Sequence, residues 1–175
     1  MATRARIGLE LKDGSYISSY QHWDGYPGGL GYNLIDNWNN YDKIEKAIQL
    51  GNASKWGVVI GKKHDFDKDR HGGDYEHMNC YYGRDRGEKD QGPKKHLNGV
   101  CLIDEAFNSG EEYLYVYRQT GKKDYLGKEC GEWFYMKYDA GFTEIAQMKP
   151  LEEDAIKEHI SMLEYHLKQL QKEAA

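Results

Sequence analysis

Near its start the chain alternates apolar with small or charged residues, Ile7-Gly8-Leu9-Glu10-Leu11, and then meets Asp13-Gly14. Alternation with a period of two marks a strand with one buried face. An Asp-Gly pair accepts the positive φ that a tight hairpin turn requires. Tyr16-Ile17-Ser18-Ser19-Tyr20-Gln21-His22 resumes an extended, β-branched and aromatic pattern, so a β-hairpin is expected over about residues 6–22. An isolated hairpin is marginal in water, which commits the chain to building a larger sheet. The remaining material lies far downstream. Tyr113-Leu114-Tyr115-Val116-Tyr117 and Trp133-Phe134-Tyr135-Met136-Lys137-Tyr138 read as two antiparallel strands rich in β-formers. Trp56-Gly57-Val58-Val59-Ile60 reads as a short buried strand and Cys80-Tyr81-Tyr82 as another.

Helical spacing appears between these runs. After Pro27-Gly28-Gly29, the residues Leu30, Leu34, Ile35 and Trp38 share one face. Asn40 is placed to cap a second helix from about Tyr41 to Leu50, with Ile44, Ala47 and Ile48 inward and Gly51 just past its end. Pro150 opens a last helix over about residues 151–172, acidic in its first turn and lysine-bearing near its end, as the helix dipole favours. Along it Ile156, Ile160, Leu163, Leu167 and Leu170 repeat at 4-3-4-3 spacing, the pattern of a coiled-coil seam. Two heptads are marginal alone. The helix therefore either docks on its own sheet or pairs with a second copy or another chain. The predicted fold is a single α+β domain, an antiparallel sheet with helices on one face, with a core over 1–149 and the terminal helix over 150–175.

Length and composition exclude several functions. At 175 residues the chain is long enough for one domain with a real core. With 15 Tyr against 4 Phe, that core must place many phenol hydroxyls at the surface or beside partners. A net charge of −5 with both signs interspersed argues against a broad nucleic-acid stripe and is too weak for a DNA mimic. Cys80, Cys101 and Cys130 are odd in number and form no CxxC pair, which points to a reducing, cytosolic setting. No export signal or membrane span is expected, and no motif calls for a cofactor.

Three segments carry candidate chemistry. Tyr20-Gln21-His22-Trp23-Asp24-Gly25-Tyr26-Pro27 is unusually dense in rings for a loop. In an extended chain Asp24 would orient His22 as an acid or base. Alternatively the segment is a structural turn. Arg84-Asp85-Arg86-Gly87-Glu88 offers two guanidinium groups that can fork around a phosphate or carboxylate, or close an internal ion-pair network. Asp65, Asp67, Asp69 and Glu76 fall at calcium-loop positions 1, 3, 5 and 12, but Arg70 stands where that loop needs glycine. His64 with Asp65, Asp67 and Asp69 is a weak candidate metal set beside the reading of a solvated acidic loop.

Together these residues resemble a known family. Thr3-Arg4, a strand, an Asp-Gly turn, the Tyr20–Pro27 run with Gly31, then Leu50-Gly51 and Ser54, His64-Asp65-Phe66, the Tyr82 to Glu88 run and the late aromatic hairpin look like a family of small bacteriophage accessory proteins. Its two motifs are Y-x-H-W-D-G-Y-P and Y-x-R-D-R-G-E. The likeness spans about residues 3–138 and leaves out the helix after Pro150. It implies an early or host-interaction role in the host cytoplasm, and no activity that maps onto single residues.

The leading expectation is a non-enzymatic phage accessory protein that binds a host protein or a small anionic ligand. Trp23, Tyr26, Arg84, Asp85, Arg86 and Glu88 are its candidate contacts, and Ile156 to Leu170 its route to a homodimer. A second is a hydrolase or transferase on a nucleotide or phosphate compound, with His22 and Asp24 catalytic and Arg84 and Arg86 holding the anion. A third is a virion component. One observation bears on the enzyme and ligand-binder readings alike: they gain if His22, Asp24, Arg84 and Arg86 line one open pocket, and fail if these residues are buried and mutually paired.

Overall fold

A computed structural model of the chain describes residues 2–65, 74–138, 141 and 143–174. The alternating start forms the hairpin of β1 (Ala5–Glu10) and β2 (Tyr16–Gln21), closed by a turn with Gly14 at φ +82. Strands β3 (Ala53–Lys55), β4 (Cys80–Tyr81), β5 (Lys94–His96), β6 (Tyr113–Lys123), β7 (Glu129–Lys137) and β8 (Lys149–Pro150) complete one sheet. Its order is β4-β3-β2-β1-β6-β7-β8, with β5 paired beside the start of β2. The α+β architecture and the long last helix are as the sequence predicts. The sheet is mixed, because β6 lies parallel to β1 and β3 parallel to β2. Parallel neighbours arise here because the chain crosses over between them.

Period-two alternation sorts the sheet's side chains to two faces. Ile7, Leu9, Tyr115, Tyr117, Trp133 and Tyr135 share one core with α1 (Tyr32–Asn37), α2 (Tyr41–Gln49) and the start of α5 (Glu152–Glu173). Asn40 caps α2 through the Lys43 amide at 2.9 Å, and Ile44, Ala47 and Ile48 are buried as the spacing requires. The opposite face carries Leu114, Val116 and Met136 under α4 (Gly99–Asn108). Helices thus cover both faces, beyond the single covered face expected. Gly8 on β1 permits this second layer, since a Cβ there would stand 3.2 Å from Leu102 Cδ2.

The strand expected over residues 56–60 does not form. The Trp56 amide donates to Gln21 Oε1, and the carbonyls of Trp56 and Gly57 accept from Asn33. Side chains thus occupy groups that a ladder would use, and Val58 and Val59 stay substantially exposed. A single parallel bridge from Val59 to Met78 remains. Among the described residues no helix is long and apolar enough to cross a membrane.

Candidate functional site

The aromatic segment after β2 is a packed chain crossing. His22 and Trp23 extend the strand by donating their amides to Ala53 and Ser54 carbonyls at 3.2 and 3.0 Å. Asp24 then adopts φ +56 and turns the chain away. The His22 imidazole consequently meets the Tyr20 hydroxyl at 2.7 Å through Nδ1 and the edge of Trp23, with no hydrogen bond or ion pair to Asp24. The expected His22–Asp24 pair is absent because positive φ at Asp24 ends the extended conformation it needed. Gly25 passes so close to the N-terminal strand that a Cβ would lie 2.6 Å from Thr3 O, and its carbonyl accepts from the buried Tyr115 hydroxyl at 2.7 Å. Pro27 begins a π-helical turn, Pro27–Gly31, that leads into α1. Tyr26 is half-buried against Gly29, and Trp23 remains 48% exposed.

Arg84 and Asp85 sit on α3 (Tyr82–Arg86), a single turn ended by Gly87 at φ +72. Arg84 Nε and Nη2 fork onto Asp85 at 2.7 and 2.9 Å. Its other donors reach the carbonyls of Ile60, Gly61 and Asn79 at 3.2, 2.9 and 2.9 Å. A guanidinium has five N–H donors, and these five bonds use them. Asp85 accepts two further bonds, from the Tyr81 and His64 amides at 2.8 and 3.2 Å. The residue expected to clamp an anion instead ties α3 to two loops. Arg86 and Glu88 are at the surface, 3.3 Å apart.

The two motifs do meet, through β3. Tyr82 donates its amide to Asn52 O, and Ser54 hydrogen-bonds the Tyr82 phenol, while the carbonyls of Ala53 and Ser54 on β3 accept from the His22 and Trp23 amides. The contact is a structural knot. The large cleft described below lies elsewhere, and His22, Asp24, Arg84 and Arg86 are not among the residues lining it.

Of the metal candidates, Asp67 and Asp69 lie outside the described residues, and Asp65 is exposed. His64 is buried, with ligand atoms of Cys80 and Asp85 all within 4.8 Å of one another. This set does not suit a cation. The Asp85 oxygens already accept four hydrogen bonds, and Arg84 balances its charge, which leaves this carboxylate little capacity for a cation.

The largest cleft described opens at the other edge of the sheet, where β7, β8, the π-helical turn and α5 converge around about 650 Å³. Its floor is the rings of Tyr113 and Tyr135, roughly parallel to Tyr115 between them with centroids 6.2 and 6.0 Å away. Lys137 lies 5.9 Å from the Tyr113 centroid and Lys149 5.1 Å from that of Tyr135. Lys157 stands on the α5 wall. Asp154 holds Lys149 at 2.7 Å and accepts from the Tyr135 hydroxyl at 2.5 Å; these two bonds hold its pKa below the usual carboxylate range. Burial raises the Tyr135 and Tyr113 phenols, so both stay protonated at neutral pH. Glu158 accepts from the Gly28 amide at 2.5 Å. Both carboxylates in the wall are therefore already engaged.

Sequence reading missed this cleft because its walls come from four distant segments. The C-terminal helix reaches it by standing on the aromatic segment itself. A Cβ on Gly28 would lie 2.9–3.0 Å from Glu158 and from His159 N, so glycine is what lets α5 approach. His159 Nδ1 meets Gly28 O at 2.9 Å, and its ring stacks on Tyr32 at 3.8 Å. No protein-family model matches the chain, and neither a curated protein nor a solved structure matches it.

Proposed function

We propose that the protein is a non-catalytic binding protein that takes a small anionic ligand with a flat apolar portion into the cleft beside α5. The observation that carries this reading is the pairing, in one open cavity of about 650 Å³, of a tyrosine floor with Lys137, Lys149 and Lys157. That size is ordinary for a small-molecule site, as is an apolar lining with a few convergent polar groups. Tyrosine faces stack planar groups, and ammonium groups at the rim attract phosphate or carboxylate. The likeness of the two sequence motifs to phage accessory proteins supports action in an infected host's cytoplasm. A host protein as target is favoured by Trp23, a large ring left half exposed beside His22. Catalysis through His22 has little to support it, since its partner is a tyrosine hydroxyl and Arg84, the expected anion clamp, is spent on Asp85 and three carbonyls.

Titration calorimetry with a nucleoside monophosphate, an aromatic carboxylate and inorganic phosphate tests the cleft. Saturable binding of one aromatic anion, weakened about tenfold or more by Lys137→Met with Lys149→Met, is the expected result; tenfold corresponds to about 1.4 kcal/mol. Circular dichroism and the melting temperature confirm that the double variant is folded. Equal affinity in the folded variant, or no binding by any of the three probes, overturns the ligand reading.

A further inference from the structure

The apolar seam of α5 belongs to none of the contacts described so far. The helix docks through Leu151, Ala155, Glu158 and His159, whereas Ile156, Ile160, Leu163, Leu167 and Leu170 are 38, 49, 54, 56 and 63% exposed. At about 100° per residue, the seam is centred roughly 100° round the helix from the docked face. The helix does dock on its own core, one of the two expected arrangements, but through Leu151, Ala155, Glu158 and His159 and not through the seam. From Leu163 to its end almost every side chain of the helix is exposed.

We infer that this seam pairs with the same seam of a second copy, in parallel, to make a two-fold dimer. The 4-3-4-3 spacing puts Ile160 and Leu167 at position a and Ile156, Leu163 and Leu170 at position d. In a parallel pair each of the five faces its own equivalent, giving five consecutive apolar layers. The flanks bring no like charges together: Glu152 falls opposite the partner's Lys157, and His159, held on its own Gly28 and Tyr32, opposite the partner's Glu164. Glu153 faces its own equivalent at the open end, but its charge is held within the chain by Lys157. Antiparallel registers fit less well. One sets Leu170 against the partner's Glu153, and the next brings Glu164 against the partner's Glu164. The docked first turns remove part of the ordering cost that makes two free heptads marginal. A closed two-fold contact of this kind also ends the assembly at two copies.

Sedimentation and Leu170→Cys cross-linking test this. The native chain is expected at twice its 20.3 kDa mass by about 0.1 mM, and Leu163→Glu, at an exposed position, is expected to be monomeric with unchanged circular dichroism. In a background of Cys101→Ser and Cys130→Ser, Leu170→Cys is expected to form a disulfide-linked dimer rapidly when oxidised glutathione is added, which accepts the two electrons and is released as two reduced glutathiones. In the antiparallel arrangement that keeps Ile160 against Leu163, the two sulfurs would lie roughly 25 Å apart. A monomer at every concentration, or a dimer indifferent to Leu163→Glu, overturns the self-association. A dimer that Leu163→Glu breaks but Leu170→Cys fails to cross-link overturns the parallel arrangement.

Discussion

At each edge of the sheet a cation lies over a tyrosine ring and grips a carboxylate, yet the two arrangements do opposite things. At the β4 edge Arg84 sits 4.8 Å from the Tyr81 centroid and 2.7 Å from Asp85; at the β8 edge Lys149 sits 5.1 Å from that of Tyr135 and 2.7 Å from Asp154. The distances are nearly the same, and the surroundings are not. The Arg84 and Asp85 side chains are 14% and 0% exposed, those of Lys149 and Asp154 63% and 38%. Guanidinium donors are fixed in a plane and all five are used, so nothing remains for a visitor. An ammonium on a flexible stem, facing water, keeps directions in which a ligand oxygen can approach. Residue type and spacing are therefore a poor guide to which ion pair is a site. The number of valences left open decides it.

The contrast can be broken most forcefully at the buried end. Arg84→Met strands Asp85 without its counter-charge and empties five hydrogen bonds, an effect of about 3–5 kcal/mol on stability. Urea denaturation is expected to show a large fall in midpoint or an unfolded chain. A loss under about 1 kcal/mol would mean that the knot is dispensable and return Arg84 to the list of ligand contacts. Lys149→Met is the matching change at the open edge, where an exposed pair contributes only about 0–1 kcal/mol. Its midpoint is expected to stay close to that of the native chain, and a fall as large as that of Arg84→Met would erase the distinction.

A third ion pair sharpens the comparison through pH. Arg6 is buried on the α4 face, bonded to Glu111 at 2.5 Å and to Ser18 at 3.1 Å, and Ser18 meets His96 Nε2 at 2.8 Å. Burial, then the Arg6 charge, lowers the His96 pKa below its ordinary 6.5. Above 6.5 the imidazole is neutral folded or unfolded and costs nothing. As pH falls below that value the unfolded chain takes up the proton more readily, so stability drops. Burial raises Glu111 above its ordinary 4.5, which acts in the reverse sense: stability is lost as pH rises from there. Replacing His96 with Gln is expected to flatten the decline of the melting temperature just below pH 6.5. An unchanged slope would show that His96 is not the responsible group.

What the sequence disclosed was local in origin. The hairpin, the Asn40 cap, the inward stripe of α2 and the aromatic pair of strands each rest on residues a few positions apart. Helix α4 was missed although Asn98 caps it through the Cys101 amide at 3.0 Å, and Leu102, Ile103 and Ala106 form its buried stripe. That cap followed by apolar residues was a legible signal. Strand β5 gave none, because Lys94 and Lys95 pair with β2 from an exposed edge. The paired motifs were readable as neighbours, but the filling of Arg84 by carbonyls of Ile60, Gly61 and Asn79 depends on loop paths that periodicity does not encode. The cleft was illegible for the same reason: Pro27, Tyr113, Tyr135 and Asp154 acquire meaning together only after α5 has settled on Gly28.

The parallel pairing of β1 with β6 bears on how the chain is made. Ile7 sits beside Tyr115, 108 residues later, and β1 is flanked by β2 and β6 in the finished sheet. At about 5–20 residues per second, a ribosome needs on the order of 5–20 s to deliver the second neighbour after the first. Throughout that interval the β1 edge of the nascent hairpin stays unpaired, since β3 and β5, made in between, join the sheet at β2. The long wait for β6 makes this edge of the hairpin the place where a chaperone or a neighbouring nascent chain has the longest opportunity to bind.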